Sequence, residues 1–248
     1  MNKMEKIALV IGGTGGIGSE IVRAFIKNGI KVNATYYKNK DTAEKMVYES
    51  GKENLSVYQM DLADEISVKE TVQKIADKHK TIDIVVFSAT YQTKNKQLFS
   101  TEWEDFQKHI DTQSRGLFYV TKNLMNQIKE KHRTKFIVIL TEYCFGKPPA
   151  GLSDYVTAKY SLMGLAKSIA SELAKYGCTV NMVSPGMTET NLIANLPPKF
   201  IEIAAQSNPL RRIAKPADVA NVVLFLASDG SDYINGANIM VNGGGVML

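Results

Sequence analysis

Short apolar runs alternate with longer amphipathic stretches along most of this chain. The apolar runs have the length and the β-branched content of buried strands, and they cover residues 7–11, 31–36, 55–60, 82–87, 136–141, 179–183 and 239–241. Between these runs, apolar residues recur at helical spacing, as in 16–27 and 68–78. A regular alternation of strand and helix predicts right-handed βαβ units, and therefore a doubly wound parallel sheet of the α/β class.

Two long helices and one insertion complete the pattern. The first helix is predicted to start near Thr101, where Glu104 completes a capping box, and to run to about residue 125. The second is predicted over about 153–175. Residues 192–208, which contain a pair of prolines, form a candidate lid. No linker rich in Pro, Gly or Ser and no internal repeat interrupts the chain, so we expect one domain over residues 1–248.

The composition is that of an ordinary soluble globular protein, with 44% hydrophobic and 22% charged residues. After the charged start, only the apolar run 7–11 precedes the first glycine, so we expect neither a signal peptide nor a membrane span. The cytoplasm is therefore the expected location. Cys144 and Cys178 lack metal-ligand spacing, and we interpret both as packing residues.

The distribution of charged residues argues against two classes of partner. His79, His109 and His132 are scattered and form no cluster with cysteine, so no metal site is expected. The net charge is +5, but the lysines are spread among acids, so no nucleic-acid partner is expected. The basic segment 129–135 has two interpretations: a solvated helix end whose cations suit the helix dipole, or a docking site for an acidic partner protein.

A glycine cluster occupies residues 12–18, directly after the first predicted strand and at the start of the first predicted helix. Backbone N–H groups in this context form a phosphate cradle, which indicates a dinucleotide site. The cluster fits either Gly13-x-Gly15-x-x-Gly18 or Gly12-x-x-x-Gly16-x-Gly18. We prefer the second pattern because Gly12 directly follows the strand, where a sharp turn is needed.

The end of the second predicted strand bears on the choice of dinucleotide. Sites that prefer NAD place an acid about twenty residues after the glycines, where it binds the ribose 2′-hydroxyl. Here the segment Tyr37-Lys38-Asn39-Lys40 contains no acid, and both lysines are placed to meet a 2′-phosphate. NADP(H) is therefore expected as the cofactor in preference to NAD(H), although both lysines also suit a solvated surface.

Tyr155 and Lys159 are the strongest catalytic candidates. Residues four apart lie on one face of a helix, so this phenol and this ammonium are expected to be neighbours. Together with the glycine cluster and the segment 180–190, they resemble the short-chain dehydrogenase/reductase family, and most of all its 3-oxoacyl-acyl-carrier-protein reductases. The resemblance covers nearly the whole chain. It implies a three-layer, Rossmann-type fold.

The resemblance also implies an activity. Tyr155 would give its proton to a substrate carbonyl oxygen as hydride arrives from the nicotinamide, while Lys159 would lower the pKa of the phenol and bind the nicotinamide ribose. The substrate would be a β-ketoacyl thioester or a related ketone, carried by an acidic acyl carrier protein. The chain would act as a homotetramer or homodimer.

Further cofactor contacts follow from the resemblance. Asp61 and Leu62 match the family position that contacts adenine, with a surface-turn aspartate as the alternative. Residues 88–90 stand where the family has Asn-Ala-Gly, and 185–188 match its loop over the nicotinamide. The expected cofactor-binding residues are Gly12, Thr14, Gly15, Gly16, Ile17, Gly18, Tyr37, Lys38, Asp61, Leu62, Ser88, Ala89, Thr90, Tyr155, Lys159, Pro185, Gly186, Met187 and Thr188.

Two catalytic positions depart from the family pattern. Glu142 occupies the position of the substrate-binding serine, with the hydroxyl of Thr141 one residue earlier, and Gln113 aligns with a water-ordering asparagine. An ionised Glu142 would repel a developing oxyanion. Three explanations stay open: a protonated Glu142 that donates a hydrogen bond, a Glu142 that acts as base for dehydration, isomerisation or an amine substrate, or a non-catalytic nucleotide-binding scaffold.

Overall fold

The computed structural model describes residues 5–79, 81–131 and 133–247. Its sheet has the strand order β3-β2-β1-β4-β5-β6-β7, and all neighbouring pairs are parallel. The strands are β1 (Ile7–Ile11), β2 (Lys31–Tyr36), β3 (Leu55–Gln59), β4 (Ile84–Phe87), β5 (Lys135–Ile139), β6 (Thr179–Pro185) and β7 (Asn238–Val241). The predicted α/β class and doubly wound parallel sheet are therefore confirmed.

Helices cover both faces of the sheet. They are α1 (Gly16–Lys27), α2 (Lys40–Ser50), α3 (Glu65–Lys78), α4 (Trp103–Ile110), α5 (Gly116–Lys131), α6 (Ser153–Leu173), α7 (Pro198–Ser207) and α8 (Pro216–Ala227). Because successive strand residues point to opposite faces, Leu9 of β1 packs with α3, α5 and α6, whereas Val10 packs with α1 and α8. Two apolar layers result, one on each side of the strands.

The long helix predicted from Thr101 differs from the observed one in its start and in its continuity. Thr101 does not cap it: its hydroxyl donates to the Gln97 carbonyl at 2.9 Å, and the helix begins at Trp103. The carboxylate of Asp105 instead accepts from the Glu102 N–H at 3.4 Å, so the capping box lies one residue later than predicted. A π-helical turn, Asp111–Arg115, then separates α4 from α5.

The basic segment 129–135 is only partly a solvated surface. Thr134 is buried, and its hydroxyl donates to the Ile82 carbonyl at 3.0 Å. Lys135 is also buried and its ammonium lies 2.6 Å from an Asp232 carboxylate oxygen. Lys135 is therefore not available to an acidic partner, and His132 lies outside the described residues.

The topology fixes where a ligand site can form. Because β1 pairs with both β2 and β4, the chain leaves β1 in one direction and returns to its other side, which opens a crevice at the carboxyl ends of the strands. The residues after β1, β4, β5 and β6 meet at this edge. Within the described ranges, no helix combines the length and apolar content needed to cross a bilayer.

Candidate active site

A cavity of about 730 Å³ lies at the carboxyl edge of the sheet. It brings together most of the residues predicted from the sequence, namely Thr14, Gly15, Gly16, Ile17, Gly18, Ser88, Thr90, Thr141, Tyr155, Lys159, Pro185, Gly186, Met187 and Thr188. Leu192, Pro197 and Phe200, from the candidate lid, also line it. The glycine cluster and the Tyr155/Lys159 pair therefore share one cavity.

The glycine cluster is folded so tightly that a Cβ would collide at Gly12, Gly13, Gly16 and Gly18. Gly12 has φ +76°, and a Cβ there would lie 2.9 Å from the Ala89 Cα. A Cβ on Gly18 would collide with the Gly12 carbonyl oxygen, which brings α1 close to β1. The first-turn N–H groups of α1 have no intrahelical acceptor and line the cavity, so the cradle fits a diphosphate. Gly12 and Gly16 belong to the preferred pattern, Gly13 to the other one and Gly18 to both, so close packing is common to the two patterns.

The expected contacts for the adenosine half of a dinucleotide lie away from the cavity wall. Lys38 is exposed, and its ammonium lies 5.0 Å from the centroid of the Tyr37 ring. Lys40 is paired with Glu44 at 3.5 Å. Asp61 accepts from the Ala63 N–H at 2.9 Å, which is the turn geometry of the alternative interpretation.

Leu62 is a core residue in this structure. Its side chain belongs to the apolar layer beneath α3 and α5, and a Cβ on Gly116 would lie 3.0 Å from the Leu62 Cβ. Close packing against α5 explains why this position is apolar and why a glycine begins that helix.

Tyr155 stands in the first turn of α6 and is only 8% exposed. Burial raises the pKa of its phenol above the ordinary range, because the phenolate would lose its hydration. The Thr141 hydroxyl hydrogen-bonds the phenol and lowers the pKa in part. Thr141 is itself buried and caps the short turn Glu142–Cys144 by accepting from the Tyr143 N–H at 3.4 Å.

Lys159 lies one helical turn after Tyr155 and is 3% exposed. Its ammonium donates to the Ile139 carbonyl at 2.8 Å and lies 5.7 Å from the centroid of the Tyr155 ring. Burial lowers the pKa of Lys159 to about 8. The resemblance implied that Lys159 lowers the pKa of Tyr155, whereas in this structure burial prevails and the lowering contact comes from Thr141.

Glu142 lies on the other side of the segment that follows β6. A Cβ on Gly186 would lie 3.2 Å from its Oε1, and a Cβ on Gly245 would lie 3.1 Å from its Oε2. Burial raises the pKa of Glu142, while hydrogen bonds from the Asn242 side chain and the Met187 backbone lower it in part. Glu142 thus lines a second pocket of about 680 Å³, together with Asn242 and Gly245.

The strand predicted over 136–141 explains how two adjacent residues diverge. β5 ends at Ile139, but the backbone of Thr141 is still extended (φ −160°, ψ 149°), and the turn begins only at Glu142. Adjacent side chains on extended backbone point to opposite sides. The hydroxyl enters the cavity with Tyr155, and the carboxylate turns toward the chain that follows β7.

Gln113 lies in the π-helical turn and is fully buried. Its Nε2 lies 3.4 Å from Nδ1 of His109. His109 is 1% exposed, its ring centroid is 6.0 Å from that of Tyr155, and its Nε2 is 3.7 Å from an Asp154 carboxylate oxygen. The sequence alone predicted no role for His109, which was considered only as a metal ligand, and none for Asp154. The available signals were the spacing of four residues between His109 and Gln113 and the position of Asp154 directly before Tyr155.

Comparison with known proteins identifies the family. A family model described as enoyl-(acyl carrier protein) reductase matches residues 12–245. The chain is 33% identical over 246 residues to the 3-oxoacyl-[acyl-carrier-protein] reductase FabG of Staphylococcus epidermidis, covering 97% of this chain and 99% of the relative. FabG of Thermotoga maritima is 33% identical over 244 residues, which cover 96% of this chain and 97% of the relative. The chain therefore belongs to the short-chain dehydrogenase/reductase family of oxidoreductases, which use a nicotinamide cofactor.

Proposed function

We propose that this protein is an NADP(H)-dependent ketoreductase that reduces the carbonyl of a β-ketoacyl thioester, or of a related ketone, to an alcohol. The observation that carries the proposal is the buried Tyr155 phenol, which shares one cavity with Thr141, Lys159 and the glycine cradle. The substrate class rests on the relatives, whose names specify 3-oxoacyl groups on acyl carrier protein.

Tyr155 is the proposed general acid. Because burial raises its pKa, the phenol keeps its proton at neutral pH and can donate it to a carbonyl oxygen that enters the cavity. Thr141 holds the phenol and supplies a hydroxyl beside the same oxygen. A bound nicotinamide would supply the hydride. In the alcohol-oxidising direction, Tyr155 would take the proton back.

Lys159 provides the positive charge of the site. Its ammonium has three donors, of which one binds the Ile139 carbonyl. The others are proposed to bind the nicotinamide ribose and to stabilise the phenolate that forms when Tyr155 gives up its proton. This second role acts at the moment of proton transfer, when the phenolate appears beside a cation in a low-dielectric cavity.

The remaining cofactor contacts are proposed from the wall of the cavity. The N-terminal turn of α1 would hold the diphosphate, Ser88 and Thr90 would contact the ribose side, and residues 185–188 would cover the nicotinamide. Lys38 is the proposed contact for a 2′-phosphate, because Lys40 is paired with Glu44.

Glu142 is proposed to brace the site. Its carboxylate joins the Met187 backbone to Asn242, and so ties the nicotinamide loop to the chain after β7. A dehydratase or isomerase that used Glu142 as its base would need this carboxylate beside Tyr155, and it instead lies against Gly245. We therefore propose a structural role for the position that family spacing assigns to serine, with Thr141 as the source of the hydroxyl.

The assembly and location are part of the same proposal. Trp103 of α4 and Phe118 of α5 are 66% and 48% exposed, and apolar side chains of this size suit a buried subunit interface. A cytoplasmic homotetramer or homodimer is proposed, with an acyl carrier protein as donor of the substrate.

The central experiment replaces Tyr155 with phenylalanine and follows NADPH oxidation with β-ketoacyl and enoyl thioesters. We expect kcat on the ketoacyl substrate to fall by roughly 10²–10⁴-fold, the usual contribution of a general acid. Tyr160→Phe is the matched control, because Tyr160 lies on the same helix and is 47% exposed. Equal rates in Tyr155→Phe and the parent, or turnover of the enoyl substrate alone, contradict the proposal.

A second experiment separates the roles of the neighbouring residues. Thr141→Val should lower kcat by roughly 10²–10³-fold, as loss of one oxyanion-type donor does, while Thr141→Ser retains activity. Glu142→Gln should change kcat by less than about tenfold, because its amide oxygen can still accept a hydrogen bond at this position and the side chain keeps its size. The reverse ranking would assign the catalytic role to Glu142.

A further inference from the structure

His109 is a buried histidine beside the proposed general acid, and the proposed mechanism does not use it. It lies on α4 between two aromatic rings, with centroids 5.5 Å from Tyr91 and 6.0 Å from Tyr155. Its side chain is 1% exposed, so solvent cannot satisfy its ring nitrogens. The tautomer and the protonation state of His109 therefore depend on its polar neighbours.

The neighbours of His109 fix its tautomer. The Nε2 of Gln113, 3.4 Å from Nδ1, carries only donor hydrogens, so Nδ1 must be the acceptor and carry no proton. The proton of the neutral ring is then on Nε2, which faces Asp154 Oδ2 at 3.7 Å. The other oxygen of Asp154 is held by the Tyr155 N–H at 2.7 Å. At 3.7 Å the contact of Nε2 with Asp154 is electrostatic, and Nε2 has no hydrogen-bond partner among the described residues.

Only one end of the Gln113 amide has a hydrogen-bond partner among the described residues. Its Nε2 binds His109, while its Oε1 is buried and, among the described residues, has no hydrogen-bond partner. A buried carbonyl without a partner is costly, so it is a strong acceptor for any donor that enters. Which end of the amide is open depends on the protonation state of His109.

We propose that His109 is a positioning residue, which in its neutral form fixes the amide of Gln113 with the carbonyl oxygen free to accept. This inference rests on the proposed function and extends it: Gln113, which aligns with the family's water-ordering asparagine, would order a water for proton transfer to Tyr155. Protonation of His109 makes Nδ1 a donor, so the Gln113 amide must turn and give its oxygen to His109. The relay then loses its acceptor.

Burial and the charged groups around His109 determine whether its pKa is raised or lowered. Burial lowers the pKa of His109, and Lys159 lowers it further, while Asp154 and Asp105 raise it. Asp105 is itself paired with Lys96, at 2.6 Å. The neutral, carbonyl-releasing state therefore prevails at neutral pH, and the protonated state is reached only on the acid side.

The test compares two substitutions at His109. Asparagine places an oxygen where Nδ1 stands and cannot titrate, whereas leucine offers no acceptor. We expect His109→Leu to lower kcat by roughly tenfold, the loss of about one hydrogen bond, with little change in the KM for NADPH. His109→Asn should restore kcat and remove the loss of activity at acid pH. His79→Asn, at the far end of α3, is the control and should keep the parent profile.

A direct measurement of the amide separates this inference from the proposed function. In ¹⁵N-glutamine-labelled protein, the Gln113 side-chain signal, assigned by its loss in Gln113→Leu, should shift with pH in the parent and stay constant in His109→Asn. The signal reports on the amide even if no thioester is turned over. The inference is overturned if the signal titrates equally in the parent and in His109→Asn. It is also overturned if His109→Leu keeps the parent kcat and the parent loss of activity at acid pH. If His109→Leu fails to fold, His109→Asn decides alone.

Discussion

Replacing Lys159 with methionine should change how the free energy of unfolding depends on pH. Lys159 is buried in α6, and burial lowers its pKa from the ordinary 10.5 to about 8. The folded chain therefore releases this proton at a lower pH than the unfolded chain does. A group of this kind makes the folded state less stable below its folded pKa than a neutral side chain would.

The sign and size follow from proton linkage. Between pH 8 and 10.5 the unfolded chain still binds the proton and the folded chain does not, so stability rises with pH in this window. At about 1.4 kcal/mol per pKa unit, the rise amounts to about 3 kcal/mol. Tyr155 acts in the opposite direction: its pKa is raised from 10.0, so its contribution is lost as pH rises above that value. Measurements should therefore end near pH 10.

The assay is urea unfolding followed by circular dichroism at several pH values and one protein concentration, since assembly would make stability depend on concentration. Lys159→Met should be more stable than the parent near pH 7, and the difference should shrink by about 2–3 kcal/mol toward pH 10. Lys167→Met, an exposed lysine on the same helix, is the matched control and should show no such trend. A parent–Lys159→Met difference that is constant across this range would refute the reasoning.

Three further predictions concern activity and the cofactor. The kcat/KM for carbonyl reduction should fall as pH rises through about 8, because the free enzyme loses the Lys159 ammonium; a profile level to pH 10 would contradict this. Gly12→Ala should lower the free energy of unfolding by about 2 kcal/mol or more in thermal or urea unfolding, whereas Gly29→Ala, with φ +74° but open space, should cost only the backbone strain of about 1 kcal/mol. Lys38→Ala should weaken NADPH binding roughly tenfold and leave NADH binding unchanged, while Lys40→Ala should change neither, as fluorescence titration can show.

Local patterns were sufficient to predict most of the fold. The strands 7–11 and 31–36 and the helix 16–27 have the observed bounds, because each is an apolar run or stripe that ends at glycine or at charged residues. The predicted start of α4 was wrong by two residues. Two overlapping acidic capping patterns compete there, and the choice of Asp105 follows from its pairing with Lys96, which is a contact in three dimensions.

The candidate site was less accessible from sequence. Spacing identified Tyr155 and Lys159, because both lie on one helix and one periodicity relates them. It could not show which of Thr141 and Glu142 faces Tyr155, since that depends on where β5 stops and the following turn begins. His109 was considered only as a metal ligand, because a lone histidine has no pattern, and the role proposed for it rests on contacts with α6 and the π-helical turn.

Burial connects the chemistry of the site to its stability. The same low-dielectric environment raises the pKa of Tyr155 and lowers that of Lys159, so each group is pushed toward its neutral form. A neutral phenol is the form that a general acid needs before reaction, whereas a neutral amine could not stabilise the phenolate afterwards. In the proposed mechanism, the contacts that favour the charged forms would therefore serve catalysis as well as structure: Thr141 on the phenol and the Ile139 carbonyl on the ammonium. This balance between neutral and charged forms requires a small neutral hydroxyl beside Tyr155, which Thr141 supplies just after β5. An acid beside Tyr155 would raise the pKa of the phenol further and draw the Lys159 charge to itself, and the turn at 142–144 prevents this by directing Glu142 into the second pocket.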